Sequence, residues 1–262
     1  MTIIRKFFIR MINNSINEVK VYPYNNLLNC DRPNTFNSLK FRWTVDKFYA
    51  HYLINKHKLT GDAICTYQRP TAISSELVDS VISNWHNNKD KAEKYHIYDF
   101  LMNAQTQTLG PHDTEFHVVK RAQPQSIFHE TFFSLVSENV NISSNNNKFY
   151  VSEKTLYPLI NNHPFVCLAN KNHHKFMVEL GFELYDNLFD YSFDSIDADT
   201  LRFENLIKQL VDFSGQFYKE NLNKTVAITA KNVYNINNMN SSLWTILKKQ
   251  MNTYMERIFD NG

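Results

Sequence analysis

The sequence predicts an α/β fold built around a parallel sheet. Short apolar runs alternate with longer runs in which apolar residues recur every three or four positions. Strands that alternate with helices form parallel pairs, because each helix crosses over the sheet between two strands. The 262 residues are 43% hydrophobic and 21% charged, a composition typical of globular proteins.

Before residue 112, two helices and three strands are predicted. Thr35–Lys58 has Phe41, Val45, Phe48 and Tyr52 at helical spacing, and Ser74–Trp85 carries a similar apolar face. The polar segment before the first helix, Asn25–Asn37, is predicted to be a loop. The predicted strands are Thr2–Ile9, Glu18–Tyr22 and Ala63–Tyr67. Thr106–Thr114 contains Gly110-Pro111 and predicts a domain boundary.

After this boundary the elements are shorter and more regular. The predicted strands are Phe116–Lys120, Phe133–Ser137, Pro164–Ala169 and Phe182–Tyr185. The predicted helices are Pro124–Thr131, Ser152–Asn161, Asn172–Leu180, Leu201–Phe217, Asn223–Tyr234 and Ser242–Phe259. Residues 116–190 are therefore expected to form a parallel sheet with crossover helices.

Composition excludes several kinds of site. The five glycines lie too far apart for a dinucleotide fingerprint or a P-loop, so side chains and helix N-termini must hold any phosphate. The three cysteines form no disulfide framework and no Cys-x-x-Cys zinc pair. His163, His173 and His174 lack zinc-ligand spacing and are expected at the surface. We expect no metal and no bound cofactor.

Charge and hydropathy bound the setting. The net charge of +2 supplies no general affinity for DNA, and no apolar run is long enough to span a membrane. We expect a cytoplasmic protein. The many asparagines indicate an AT-rich genome, typical of a phage or a bacterium.

The segment that follows Phe133–Ser137 offers a phosphate site. Ser152 is a suitable helix N-cap, and Glu153 and Lys154 would occupy the first turn. A helix N-terminus at the carboxyl end of a parallel sheet attracts phosphate groups, and Lys154 adds a full positive charge. The alternative is a capped helix start that only meets solvent.

Two blocks of this region, Phe133–Asn139 (FSLVSEN) and Tyr150–Thr155 (YVSEKT), resemble the donor-binding motif of the α1,3-fucosyltransferase family. They are also similar to phage and bacterial glycosyltransferase-like proteins. The resemblance implies a GT-B fold and inverting, metal-independent transfer from a nucleotide-diphosphate sugar. It implies that Glu153 contacts the ribose, and that Lys154 contacts the phosphates together with an upstream arginine, for which Arg121 is the candidate. Ser152, Thr155, Glu138 and Asn139 complete the implied nucleotide site.

The resemblance also implies a division of labour along the chain. Residues 1–112 would form the acceptor side, residues 113–222 the nucleotide-sugar domain, and residues 223–262 helices that pack back across both. The acceptor is a glycan or, in a phage, a modified DNA base. Four acids of the first part are candidates for the base that deprotonates the acceptor hydroxyl: Asp31, Asp46, Asp62 and Glu76. The alternative function is a non-enzymatic viral or nucleic-acid-associated protein with a degenerate glycosyltransferase-like fold.

Overall fold

The computed structural model describes residues 27–40, 43–67, 69–70, 72–85, 91–107, 126–138 and 153–235. Within them the chain is a mixed α/β structure with one four-stranded sheet, all of whose strands are parallel. The strands are β1 (Asn34–Ser38), β2 (Ala63–Cys65), β3 (Thr131–Ser137) and β4 (Phe165–Leu168). The predicted α/β class and parallel sheet are confirmed.

The spatial order of the strands is β2-β1-β3-β4. The chain therefore moves from β1 outward to β2, returns to the other side of β1 to form β3, and continues outward to β4. This reversal makes the space between the carboxyl ends of β1 and β3 the topological switch point, where open α/β sheets bind ligands. The register pairs Asn37 with Ser134 and Ser137 with Leu168.

Helices connect and cover the strands. They are α1 (Val45–Lys56), α2 (Ser75–Trp85), α3 (Lys91–Asn103), α4 (Ser126–Glu130), α5 (Glu153–Ile160), α6 (His173–Glu179), α7 (Asp199–Val211), α8 (Gly215–Glu220) and α9 (222–235). Two short 3₁₀ helices, Leu59–Asp62 and Tyr191–Ser195, lie before β2 and before α7. No helix in the described part of the chain is long and apolar enough to cross a membrane.

The predicted helix Thr35–Lys58 is wrong at its start, where the chain forms β1 up to Ser38. Helix α1 begins only at Val45, after Thr44 has capped it by accepting the Lys47 N–H at 3.4 Å. The strand was missed because its buried side chains are partly polar. Asn37 donates to the Thr131 hydroxyl at 2.9 Å, so this polar residue is satisfied inside the sheet.

The predicted strand Phe182–Tyr185 is also wrong, because this segment belongs to no sheet. Phe182 and Tyr185 are buried, so the apolar pattern is real. The backbone of Glu183 pairs instead with the Asn232 side chain of α9, which accepts the Glu183 N–H at 2.8 Å and donates to its carbonyl at 2.9 Å. The Asn232 side chain thus makes the two hydrogen bonds with the Glu183 backbone that a neighbouring strand would make.

An aromatic core fixes the sheet against the C-terminal helices. Phe36 of β1 stacks on Phe133 of β3 with ring centroids 5.5 Å apart. Phe133 also packs against Phe189 at 5.0 Å and against Phe213 at 4.8 Å. Phe189 lies before the 3₁₀ helix Tyr191–Ser195 and Phe213 follows α7, so the chain after β4 packs against β3 through these two rings.

The predicted domain boundary at residue 112 lies outside the described residues. Strands β1 and β2 precede it and strands β3 and β4 follow it, yet all four form one sheet. A cut at this point would separate β1 from β3, which are hydrogen-bonded neighbours. The predicted elements at Thr2–Ile9, Glu18–Tyr22, Phe116–Lys120 and Ser242–Phe259 also lie outside the described residues.

Candidate functional site

The switch point contains a narrow groove. Asn37 and Leu39 line it from the end of β1, residues 134–137 from β3, and Lys154 and Pro158 from α5. Helix α5 begins at Glu153, so its first turn lies beside the carboxyl ends of β1 and β3. The sequence motif and the topology therefore indicate the same position in the fold.

Glu138 is the buried anchor of this groove. It follows β3 directly, its side chain is 2% exposed, and its N–H donates to the Leu168 carbonyl at 3.1 Å. The Thr155 hydroxyl donates to Glu138 Oε1 at 2.5 Å. A buried carboxylate needs such partners, because burying a charge that has no hydrogen-bond partner is energetically very costly.

Lys154 completes the cluster from the first turn of α5. Its Nζ lies 4.0 Å from Glu138 Oε2, and 22% of its side chain remains exposed. A cation in the first turn of a helix opposes the helix dipole, so the nearby carboxylate offsets an unfavourable position. Lys154 therefore lines the groove with its side chain partly exposed to solvent.

Two of the residues that line the groove carry buried hydroxyl groups. Ser134 and Ser137 are 3% and 4% exposed, and neither Oγ atom has a hydrogen-bond partner in the described part of the chain. An unpaired buried polar group costs about 1–3 kcal/mol.

The four acids predicted as base candidates lie at different places. Asp31 precedes β1 and Asp62 precedes β2, so both are exposed at the amino edge of the sheet, opposite the groove. Glu76 is exposed in the first turn of α2, where hydrogen bonding to Ser74 lowers its pKa. Asp46 is buried in the first turn of α1, at the carboxyl edge that also holds Lys154.

The remaining predicted nucleotide contacts are only partly described. Arg121, Asn139 and Ser152 lie outside the described residues. Glu153 begins α5, but its side chain is likewise outside the described structure. Of the predicted set, the fold brings together Glu138, Lys154 and Thr155. Thr155 is fully buried and its hydroxyl is bonded to Glu138, so it does not line the groove itself.

The expectation that His163, His173 and His174 lie at the surface is wrong, because all three are buried. His174 Nε2 accepts the Cys167 N–H at 3.1 Å, which leaves the proton on Nδ1, 2.8 Å from Asp194 Oδ1. Both ring nitrogens are therefore used inside the fold. Burial also lowers the pKa of His173 to about 3. Over the described ranges, no group of three or more His, Cys, Asp or Glu is placed to hold a metal ion.

Sequence reasoning missed the polar residues of β1 and β3 that face the switch point. Asn37, Ser134 and Ser137 were not singled out, and neither was Lys40, which is 1% exposed just after β1. The sequence feature that could have indicated these residues was the position of Lys40, directly after the short run of residues that forms β1. It was hidden because this stretch was assigned to a loop and a helix.

We compared the chain with protein-family models, with curated proteins and with solved structures, and found no match in any of the three.

Proposed function

We propose that the chain is a glycosyltransferase that binds a nucleotide-diphosphate sugar at the switch point between β1 and β3. The observation that carries the proposal is the position of Lys154. It stands in the first turn of α5, beside the carboxyl ends of two parallel strands, and its partly exposed side chain lines a groove. This is where helix N–H groups and a cation stabilise a phosphate group.

The proposed chemistry uses this charge on the leaving group. A base removes the proton of the acceptor hydroxyl, the oxygen attacks the anomeric carbon, and the nucleotide diphosphate departs. Negative charge grows on the diphosphate during this step, so a fixed ammonium group stabilises the transition state more than the bound substrate. In the proposal Lys154 supplies that charge, and Glu138 with Thr155 holds Lys154 in place.

The resemblance stated above supports the finer parts of the proposal, which are the GT-B arrangement, inversion and independence of metal. In this proposal the nucleotide-binding half is the whole four-stranded sheet with α5, and it includes β1 and β2, which lie before residue 112. We take Asp46 forward as the candidate base, because it lies at the same edge of the sheet as Lys154. The acceptor is a glycan hydroxyl or a modified DNA base, and the reaction is proposed to take place in the cytoplasm of a bacterium or of a phage-infected cell.

A thermal-shift screen against UDP-, GDP-, CMP- and dTDP-sugars tests the proposal. A sugar nucleotide present at a hundred times its Kd should add about 2.7 kcal/mol to stability in the wild type, and clearly less in Lys154→Ala. If no sugar nucleotide stabilises the wild type, the proposal fails. The Glu138–Lys154–Thr155 cluster would then be structural, as the non-enzymatic alternative requires.

A further inference from the structure

Lys40 is a buried lysine without a carboxylate partner among the described residues. It is 1% exposed, and its Nζ donates to Ser38 Oγ at 2.6 Å. Its own N–H donates to the Thr66 hydroxyl at 2.7 Å, which fixes its backbone beside the end of β2. An ammonium group carries three N–H donors, and burial of its charge is costly unless an anion is near.

The side chains around Lys40 are also incompletely paired. Trp43 Nε1, His51 Nδ1 and the Tyr67 hydroxyl are buried, and each lacks a hydrogen-bond partner in the part of the chain that the structure describes. His51 stacks on Tyr67 with ring centroids 4.4 Å apart. Lys40 is close enough to both His51 and Cys65 for charge interactions to affect their pKa values.

Trp43 belongs to the same cluster. Its indole lies near the Tyr67 hydroxyl and acts against the rise in the pKa of Tyr67 that burial causes, although the two polar atoms do not meet hydrogen-bond geometry. Trp43 and Cys65 both keep part of their surface exposed, so the cluster reaches the outside of the molecule.

We propose that Lys40, Trp43, His51 and Tyr67 form a second anion-binding site, the Lys40 site, which takes a phosphate or carboxylate group against Lys40 Nζ. The unpaired atoms define this ligand class. A lysine ammonium and an indole N–H can only donate hydrogen bonds, and tyrosine and histidine can donate as well. Such a cluster is complemented by a group that offers acceptors and negative charge, which describes an oxyanion.

The Lys40 site differs from the Lys154 groove. The groove is lined from the β1 side by Asn37 and Leu39, whereas Lys40 bonds to Ser38 and lies near residues of α1 and β2. Successive side chains of an extended segment point to opposite sides. Anion binding at the Lys40 site therefore does not depend on the proposed glycosyl transfer at the Lys154 groove.

Thermal melting at pH 7 with sodium phosphate, and separately with sodium acetate, tests the Lys40 site against sodium chloride of equal ionic strength. At ten times its Kd, the bound anion should raise the melting temperature of the wild type by about 3–6 °C above the chloride control. A larger shift with phosphate would indicate that the site takes a phosphate group, and a larger shift with acetate would indicate a carboxylate group. Lys40→Met should lose the part of the shift that Lys154→Met keeps and, without anion, melt higher than the wild type, because a desolvated charge has been removed.

Lys154→Met is the matched control, since it removes only the anion binding that the proposed function assigns to the Lys154 groove, and a shift due to Lys40 should remain. Trp43→Phe keeps an aromatic ring but loses the indole N–H donor, and should weaken anion affinity several-fold. This variant also tests the site if Lys40→Met does not fold. The Lys40 site is refuted if neither anion stabilises the wild type. It is also refuted if Lys40→Met keeps the full shift, if Lys154→Met shows no shift, or if Trp43→Phe leaves affinity unchanged.

Discussion

Lys40 and Lys154 are two lysines near the switch point that the fold treats differently. Lys154 keeps 22% of its side chain exposed and has Glu138 Oε2 at 4.0 Å. Lys40 is almost fully buried, and its ammonium group donates to the neutral hydroxyl of Ser38. Desolvation therefore lowers the pKa of Lys40 to about 8, with the Cys65 thiol acting weakly in the opposite direction.

This lowered pKa predicts how stability changes with pH. Between about pH 8 and the ordinary lysine value of 10.5, the unfolded chain holds a proton that the folded chain has lost. Stability should therefore rise with pH across this window, by about 3 kcal/mol in total from this one group. Urea unfolding of the wild type and Lys40→Met from pH 7 to 10.5 measures the difference. Identical pH profiles for the two proteins would show that the pKa of Lys40 is not lowered.

Asp46 can be tested as the base in the same way, by separating activity from stability. Asp46→Asn should reduce turnover by about 10²–10⁴-fold if this carboxylate removes the acceptor proton. Its free energy of unfolding should fall by about 2 kcal/mol or less, the upper worth of a charge that favours the helix dipole from a partly buried position. A variant with wild-type turnover, or one whose loss of activity follows its loss of folded protein, would remove Asp46 from the mechanism.

At the scale of elements, Asp194 and His174 hold α6 against β4. Burial by itself would raise the pKa of Asp194, but hydrogen bonds from the His174 ring and from the N–H groups of His174 and Lys175 lower it below the usual value of 3.8. Two of these donors are orphan N–H groups at the start of α6, so Asp194 caps that helix from a distant position in the sequence. This stabilisation is present above the ordinary carboxyl pKa and is lost as pH falls through the folded value.

Removal of this carboxylate should be costly. Asp194→Ala loses a helix cap and leaves His174 Nδ1 buried without its partner, which together should lower the free energy of unfolding by about 2–4 kcal/mol. Asp197→Ala is the control, because the Asp197–Lys171 ion pair is exposed and worth about 1 kcal/mol or less. Urea unfolding at pH 7 compares the two, and equal losses would contradict the capping role.

Elements with an apolar pattern and a clear cap could be predicted from the sequence. The order β3, α5, β4, α6 is as expected, whereas the hydrogen bond by which Thr155 of α5 contacts Glu138 after β3 was not predicted. Strand β1 could not be predicted, because its polar residue Asn37 is satisfied by Thr131, which lies 94 positions away in the sequence. Helix α3 was not predicted, and its outer side chains face solvent, with Tyr95 66% exposed.

At the scale of the whole molecule, one sheet joins parts of the chain that are far apart in sequence. The groove takes Asn37 and Leu39 from before residue 112, and Ser134, Ser137 and Lys154 from after it. No local motif could show this arrangement, because the pairing of β1 with β3 creates it. A ligand in the groove would contact both strands, so its binding should stabilise the central pair of the sheet.

The proposed mechanism uses side-chain charge on the leaving diphosphate, so we predict transfer activity that does not need a divalent ion. Turnover should be unchanged after treatment with EDTA and dialysis. Loss of activity on chelation, with recovery when Mg²⁺ or Mn²⁺ is added back, would show that a metal ion does the work assigned here to Lys154.

The most direct test of the proposed function is Lys154→Ala, with turnover and unfolding measured on one preparation and with the sugar nucleotide that most stabilises the wild type. We predict a fall in turnover of about 10²–10³-fold, the cost of removing a fixed electrostatic donor. The free energy of unfolding should change by about 1 kcal/mol or less, because loss of the 4.0 Å contact with Glu138 is offset by relief of the helix dipole. Lys224→Ala, which breaks an exposed ion pair with Asp186, should leave both quantities unchanged. Near-wild-type turnover in Lys154→Ala, or a melting temperature several degrees lower, would show that Lys154 is a structural residue and would contradict the proposed glycosyl transfer.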